Sequence, residues 1–227
     1  MDTWYDQKGR IVFTTNRSLT GVGFSRNEWN LIKDAKESYA SKELSLYWHP
    51  ECEEINLWTY WQGRGCLDAK IMLVGQDWGS PTDDSAAATM QQVQRANKNL
   101  PYQYLENNPS ITDKNLKYLF NVLGYDISEK QEDLFFTNFI LGYRYKGFSG
   151  GYSQAWAQHD KDFMKRLINI VSPKVVLCLG RATFEGVLSS FACQLSPKIK
   201  GYNAFIESMR NPVPVELEDG TVTYVFA

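Results

Sequence analysis

Two short stretches hold the residues best suited to chemistry. In IMLVGQDWGSP (71–81) four apolar residues run into Gly75, Gln76, Asp77, Trp78 and Gly79. In LFFTNFIL (134–141) three apolar residues run into Thr137 and Asn138. A carboxylate at a strand end can polarise a water or support a developing cation. An amide carries both an NH2 donor and a C=O acceptor, so it can read a donor–acceptor edge. Together they suit a flat ligand with polar edges, such as a nucleobase. Gly75 and Gly79 permit tight turns and close backbone approach. Simpler roles stand beside this one: Asp77 as the N-cap of a following helix, and Asn138 as a partner for backbone groups inside the sheet.

The elements that must position these residues are legible from hydrophobic pattern. KIMLVG (70–75) is a continuous apolar run, as a parallel strand covered on both faces should be; DLFFTNFIL (133–141) and KVVLCLG (174–180) read as the second and third buried strands and VTYVFA (222–227) as a fourth strand. Between them lie helical patterns. SITDKNLKYLFNVLGYDI (110–127) has the apolar stripe Leu116, Leu119, Phe120, Leu123, and Gly124 is placed to end it. HDKDFMKRLINIV (159–171) turns Phe163, Leu167 and Ile170 inward and closes at Pro173, with His159 at its opening; RATFEGVLSSF (181–191) follows. Upstream, GRIVFTT (9–15) reads as a short strand and SLTGVGFSR (18–26) as a Gly-rich loop. A helix over about 26–46 carries Trp29, Ile32, Tyr39 and Leu44. Residues 82–108 are polar and read as an insertion or mobile loop. Strand–helix alternation predicts an α/β fold with a parallel sheet, whose ligands bind beyond the carboxyl ends of the strands. The expected architecture is a three-layer sandwich: a central four-stranded, mostly parallel sheet with helices on both faces. Residues 1–48 form a small strand and helix extension packed on a domain spanning 49–227.

The 227 residues are 43% hydrophobic, enough for a substantial core, with a formal net charge of −2 and a pI of about 5.8. That balance argues against a generic DNA-coating protein, which is strongly basic. An enzyme handling one nucleotide at a time needs only a local basic rim. Lys146, Lys161, Lys165, Arg166, Arg181, Lys198, Lys200 and Arg210 scatter positive charge over the second half, mostly as an ordinary solvated face. The N-terminus MDTWYDQKGR has no apolar signal region and no stretch reaches membrane-span length. The expectation is a soluble, cytoplasmic monomer without membrane contact. Cys52, Cys66, Cys178 and Cys193 read as free thiols. His49, Cys52 and Cys66 lack a fourth ligand, so no metal is expected.

Taken in order, IMLVGQDWGSP, LFFTNFILGYR and SPKVVLCLGRATFEGVL resemble three motifs of the uracil-DNA glycosylase superfamily. ITDKNLKYLFNVLGYDI resembles the helix between the first two, so the likeness spans roughly 66–190 with a final strand at 222–227. The resemblance implies a hydrolase that flips a deaminated base from DNA and cleaves its N-glycosidic bond, for base-excision repair. It implies that Asp77 activates water and steadies the cationic sugar, that Gln76 lines the pocket with Gly75, Trp78 and Gly79, and that Asn138, preceded by Thr137, reads the uracil edge. It implies no cofactor and, as partner, DNA containing uracil or another damaged base. The chain departs from the pattern in four places. Trp78-Gly79 replaces the Pro-containing step, and no Tyr follows the acid to exclude thymine. NNPSI (107–111) lacks the base-stacking aromatic, for which Tyr102 and Tyr104 are candidate substitutes. Gly142 stands where one branch has a cluster-binding Cys, so no iron–sulfur cluster is expected. A His-Pro motif should follow the last strand, but the sequence closes on TYVFA and its histidines are His49 and His159. The chain is therefore expected either to lack a C-terminal segment or to have changed activity. The alternative function is an inactive nucleobase- or DNA-binding module of the same fold; a scaffold with a relic pocket is the third.

Overall fold

A computed structural model describes residues 4–5, 11–12, 26–41, 44–48, 62, 67–78, 111–145, 153–193 and 210–227. Gly79, the 82–108 insertion, Tyr102 and Tyr104, the Gly-rich loop at 18–25, and His49, Cys52 and Cys66 lie outside the described residues.

The elements are β1 (Trp4–Tyr5), β2 (Ile11–Val12), α1 (Arg26–Ser38), β3 (Leu46–Tyr47), β4 (Ile71–Gly75), α2 (Ile111–Val122) and β5 (Leu134–Asn138). They continue with β6 (Tyr143–Arg144), α3 (Gln154–Val171), β7 (Val175–Cys178), α4 (Arg181–Ser190), β8 (Val213–Glu216) and β9 (Val222–Phe226). The main sheet runs β5-β4-β7-β9-β8. Its first four strands pair in parallel, and β8 pairs antiparallel with β9. The expected four-stranded sheet is thus a five-stranded mixed one. The missed strand, VPVE, carries Pro214, which donates no ladder hydrogen bond and suits a sheet edge. The Asp219-Gly220 turn joins it to β9, with Gly220 at φ +80 and the Leu217 N–H bonded to the Thr221 carbonyl at 2.8 Å. An Asp-Gly step between two apolar runs is a hairpin signal in the sequence.

Strand β4 is central and buried on both faces, β5 is buried throughout although it lies at the sheet edge, and β9 leaves Val222 and Tyr224 nearly half exposed. Met72 and Val74 of β4 and Phe135 of β5 enter one core with Leu31, Ile32 and Ala35 of α1, Met164, Leu167 and Ile168 of α3, and Phe184, Val187 and Leu188 of α4. Leu73, Leu134 and Phe136 point the other way, into a second core with Leu116 and Phe120 of α2 and with Ile127. Phe120 and Phe136 meet there with ring centroids 4.9 Å apart.

Several helix expectations need correction. The first helix ends at Ser38, and Leu46–Tyr47 is a short strand pairing antiparallel with β6. The buried face of α2 is narrower than its apolar stripe: Leu119 and Leu123 are 41% and 48% exposed. Helix α3 begins at Gln154, where Ser153 Oγ accepts the Trp156 N–H at 3.3 Å. His159 is therefore inside the helix and does not open it. The fully buried positions of α3 are Trp156, Asp160, Met164, Leu167, Ile168 and Val171; Phe163 and Ile170 are only half-buried. No helix among the described residues is long and apolar enough to cross a membrane.

Candidate functional site

Strands β4 and β5 lie side by side in parallel register, with Gly75 opposite Asn138. Pairing continues past the strand ends: Phe139 N–H donates to the Gly75 carbonyl at 2.8 Å and Ile140 N–H to the Gln76 carbonyl at 3.0 Å. The two motifs therefore leave the sheet together at its carboxyl edge. A Cβ on residue 75 would fall 2.2 Å from Asn138 Oδ1, so glycine alone leaves room for that amide. Asn138 is 8% exposed and Thr137 lies fully in the sheet. Gln76, Asp77 and Trp78 are half-buried as whole residues.

Asp77 is held from two sides. Gln76 Nε2 donates to its Oδ2 at 2.8 Å. Arg144 Nη2 donates to the same oxygen at 2.5 Å, and the side chains of this ion pair are 5% and 6% exposed. The guanidinium carbon of Arg144 sits 4.9 Å from the Trp156 ring centroid, a cation–π arrangement. Trp78 stacks on Tyr143, centroids 5.5 Å apart and planes 9° from parallel, and its Nε1–H donates to the Leu141 carbonyl at 3.2 Å. The β3–β6 pair sets this wall, because Leu46 is opposite Arg144 and Tyr47 opposite Tyr143.

Gln76, Asp77 and Asn138 thus come to one edge, with Thr137 buried behind them. The residue the sequence reading missed is Arg144. Its signal was its place six residues beyond Asn138, in the same motif stretch LGYR. A helix cap at Asp77 concerns residues outside those described. An anchored carboxylate can still orient a water. However, Arg144 offsets much of the charge that Asp77 would present to a developing cation.

Among the described residues, no group of three or more His, Cys, Asp or Glu side chains is placed to hold a metal ion. Cys178 and Cys193 are free thiols, and burial pushes the Cys178 thiol far up. Of the scattered cations, Lys165 pairs with Glu218, Arg166 with Asp34 and Arg181 with Glu185. No protein-family model matches the chain, and no curated protein gives a significant match.

Proposed function

We propose that this chain is a uracil-DNA glycosylase-like hydrolase, a monomer of the cytoplasm that takes uracil or another deaminated base out of DNA and cleaves its N-glycosidic bond. In this reading the four parallel strands are the centre of a three-layer sandwich. Asn138 reads the base edge, Gln76 and Gly75 line the pocket, and Asp77 orients the attacking water. The observation that carries it is the packing of the Asn138 amide against Gly75, one residue before the Gln76–Asp77 pair, at the carboxyl edge of adjacent parallel strands. That edge is where α/β sheets bind ligands.

The test uses single- and double-stranded oligonucleotides carrying one uracil, with alkaline cleavage of the abasic product. Release well above an Asp77→Asn control is expected. Release equal to that control sinks the enzymatic claim.

The Asp77–Arg144 ion pair favours a second reading, a nucleobase- or DNA-binding module without turnover. Tight binding of uracil-containing DNA by a chain that releases no base decides for it.

A further inference from the structure

Ser38, His159 and Asp160 form a hydrogen-bonded relay between α1 and α3, on residues distinct from the Asp77 site. Ser38 Oγ lies 2.6 Å from His159 Nε2, and His159 Nδ1 lies 2.6 Å from Asp160 Oδ1. When Nδ1–H donates to the carboxylate, Nε2 of the neutral ring accepts the serine proton, as a general base must. Asp160 is 0% exposed, and its second oxygen is also occupied. Oδ2 accepts the Leu141 N–H at 2.7 Å and the Tyr39 hydroxyl. The Tyr39 oxygen in turn accepts the Gly142 N–H at 2.9 Å. The imidazole is gripped edge-on by Tyr39, with centroids 4.8 Å apart, and by Phe163 at 5.7 Å. Ser38 and His159 are half-buried while Asp160 is sealed in the core. The hydroxyl and the imidazole are therefore partly open to solvent, while the orienting acid is sealed. A strut between two helices would need one hydrogen bond; here both ring nitrogens are committed, in the order hydroxyl, imidazole, carboxylate.

We propose that Ser38 is an activated nucleophile, an acylation site for small esters with good leaving groups. Ser38 Oγ bonds to the acyl carbon as its proton passes to His159 Nε2. The ester C–O bond breaks, and the leaving phenolate keeps the electron pair and takes the proton from His159. The product is an acylated Ser38, which keeps its acyl group because the serine alkoxide is a strongly basic leaving group. Ser38 closes α1, at the helix end where carbonyls rather than N–H groups cluster. That end does not steady an oxyanion, which limits the chemistry to weakly basic leaving groups. The inference is independent of the glycosylase reading.

The experiment treats the full chain with p-nitrophenyl acetate and with a fluorophosphonate probe, which loses fluoride to the attacking serine. Peptide mass spectrometry locates the adduct. One adduct on Ser38 is expected, absent from Ser38→Ala. Labelling should slow by about 100-fold or more in His159→Gln. An adduct elsewhere, no adduct, or an unchanged rate in a folded His159→Gln overturns the proposal. Should that variant fail to fold by circular dichroism, wild-type protein decides. Ser38 must then outpace the other serines in the native chain and lose that advantage in urea; equal labelling of the native serines overturns the proposal.

Discussion

At the scale of single residues, Arg144 changes what Asp77 means. The carboxylate looks like a lone acid at a strand end in the sequence, but its Oδ2 is bonded to a buried guanidinium. Breaking such a pair leaves an uncompensated buried charge and costs about 3–5 kcal/mol, whereas replacing both partners with neutral groups costs less. Arg144→Met should therefore destabilise the fold more than the double variant Asp77→Asn, Arg144→Met does. Urea denaturation checks this; equal losses in the single and double variants mean that the two charges are not coupled. Asp77 and Asn138 were legible as candidates because apolar strands ending in polar groups are conspicuous. Arg144 was not, because it belongs to a two-residue strand whose partner, Leu46–Tyr47, lies almost a hundred residues upstream.

At the scale of elements, the faces of α2 and α3 differ from those drawn from their sequences. Helical spacing makes Leu116, Leu119, Phe120 and Leu123 one stripe, yet the sheet covers only Leu116 and Phe120. Phe120→Ala should cost about 3–5 kcal/mol, the usual penalty for emptying a buried aromatic site. Leu119→Ala should stay within about 1 kcal/mol, because 41% of that residue remains exposed. Thermal melting of the two variants compares them directly, and similar losses would count against the second core. In α3, Asp160 is an acidic side chain and yet completely buried. Its polarity argues for the solvent face, although its helical spacing from Trp156 and Met164 puts it on the buried one. It lies inside because Leu141, Tyr39 and His159 supply its hydrogen bonds, and those partners come from three separate places in the chain.

At the scale of the whole molecule, two buried groups tie stability to alkaline pH. Burial raises the Tyr39 hydroxyl well above its ordinary range, with Asp160 adding to the effect, and burial raises the Cys178 thiol. Both stay neutral in the folded chain, while the unfolded chain ionises them at about 8.5 for Cys and about 10 for Tyr. The unfolded state then binds fewer protons, so stability is full below those values and drains away as pH rises towards the elevated folded ones. The urea midpoint should hold at about pH 7–8 and fall between about pH 9 and 11. Cys178→Ala should weaken the early part of that fall. A midpoint that does not move over this range contradicts the burial of both groups.

The sequence by itself determined the four parallel strands, the places where they end and the residues at those ends. Apolar runs of strand length and their polar exits are local facts, written in consecutive residues. It did not determine which way Leu119 and Leu123 face, the edge strand at Val213–Glu216, or the partners of Asp77 and Asp160. Those depend on distant segments meeting. Arg144 reaches Asp77 across 67 residues of chain and Ser38 reaches His159 across 121. Only tertiary structure brings such groups together, because hydrogen bonds and ion pairs depend on distance in space.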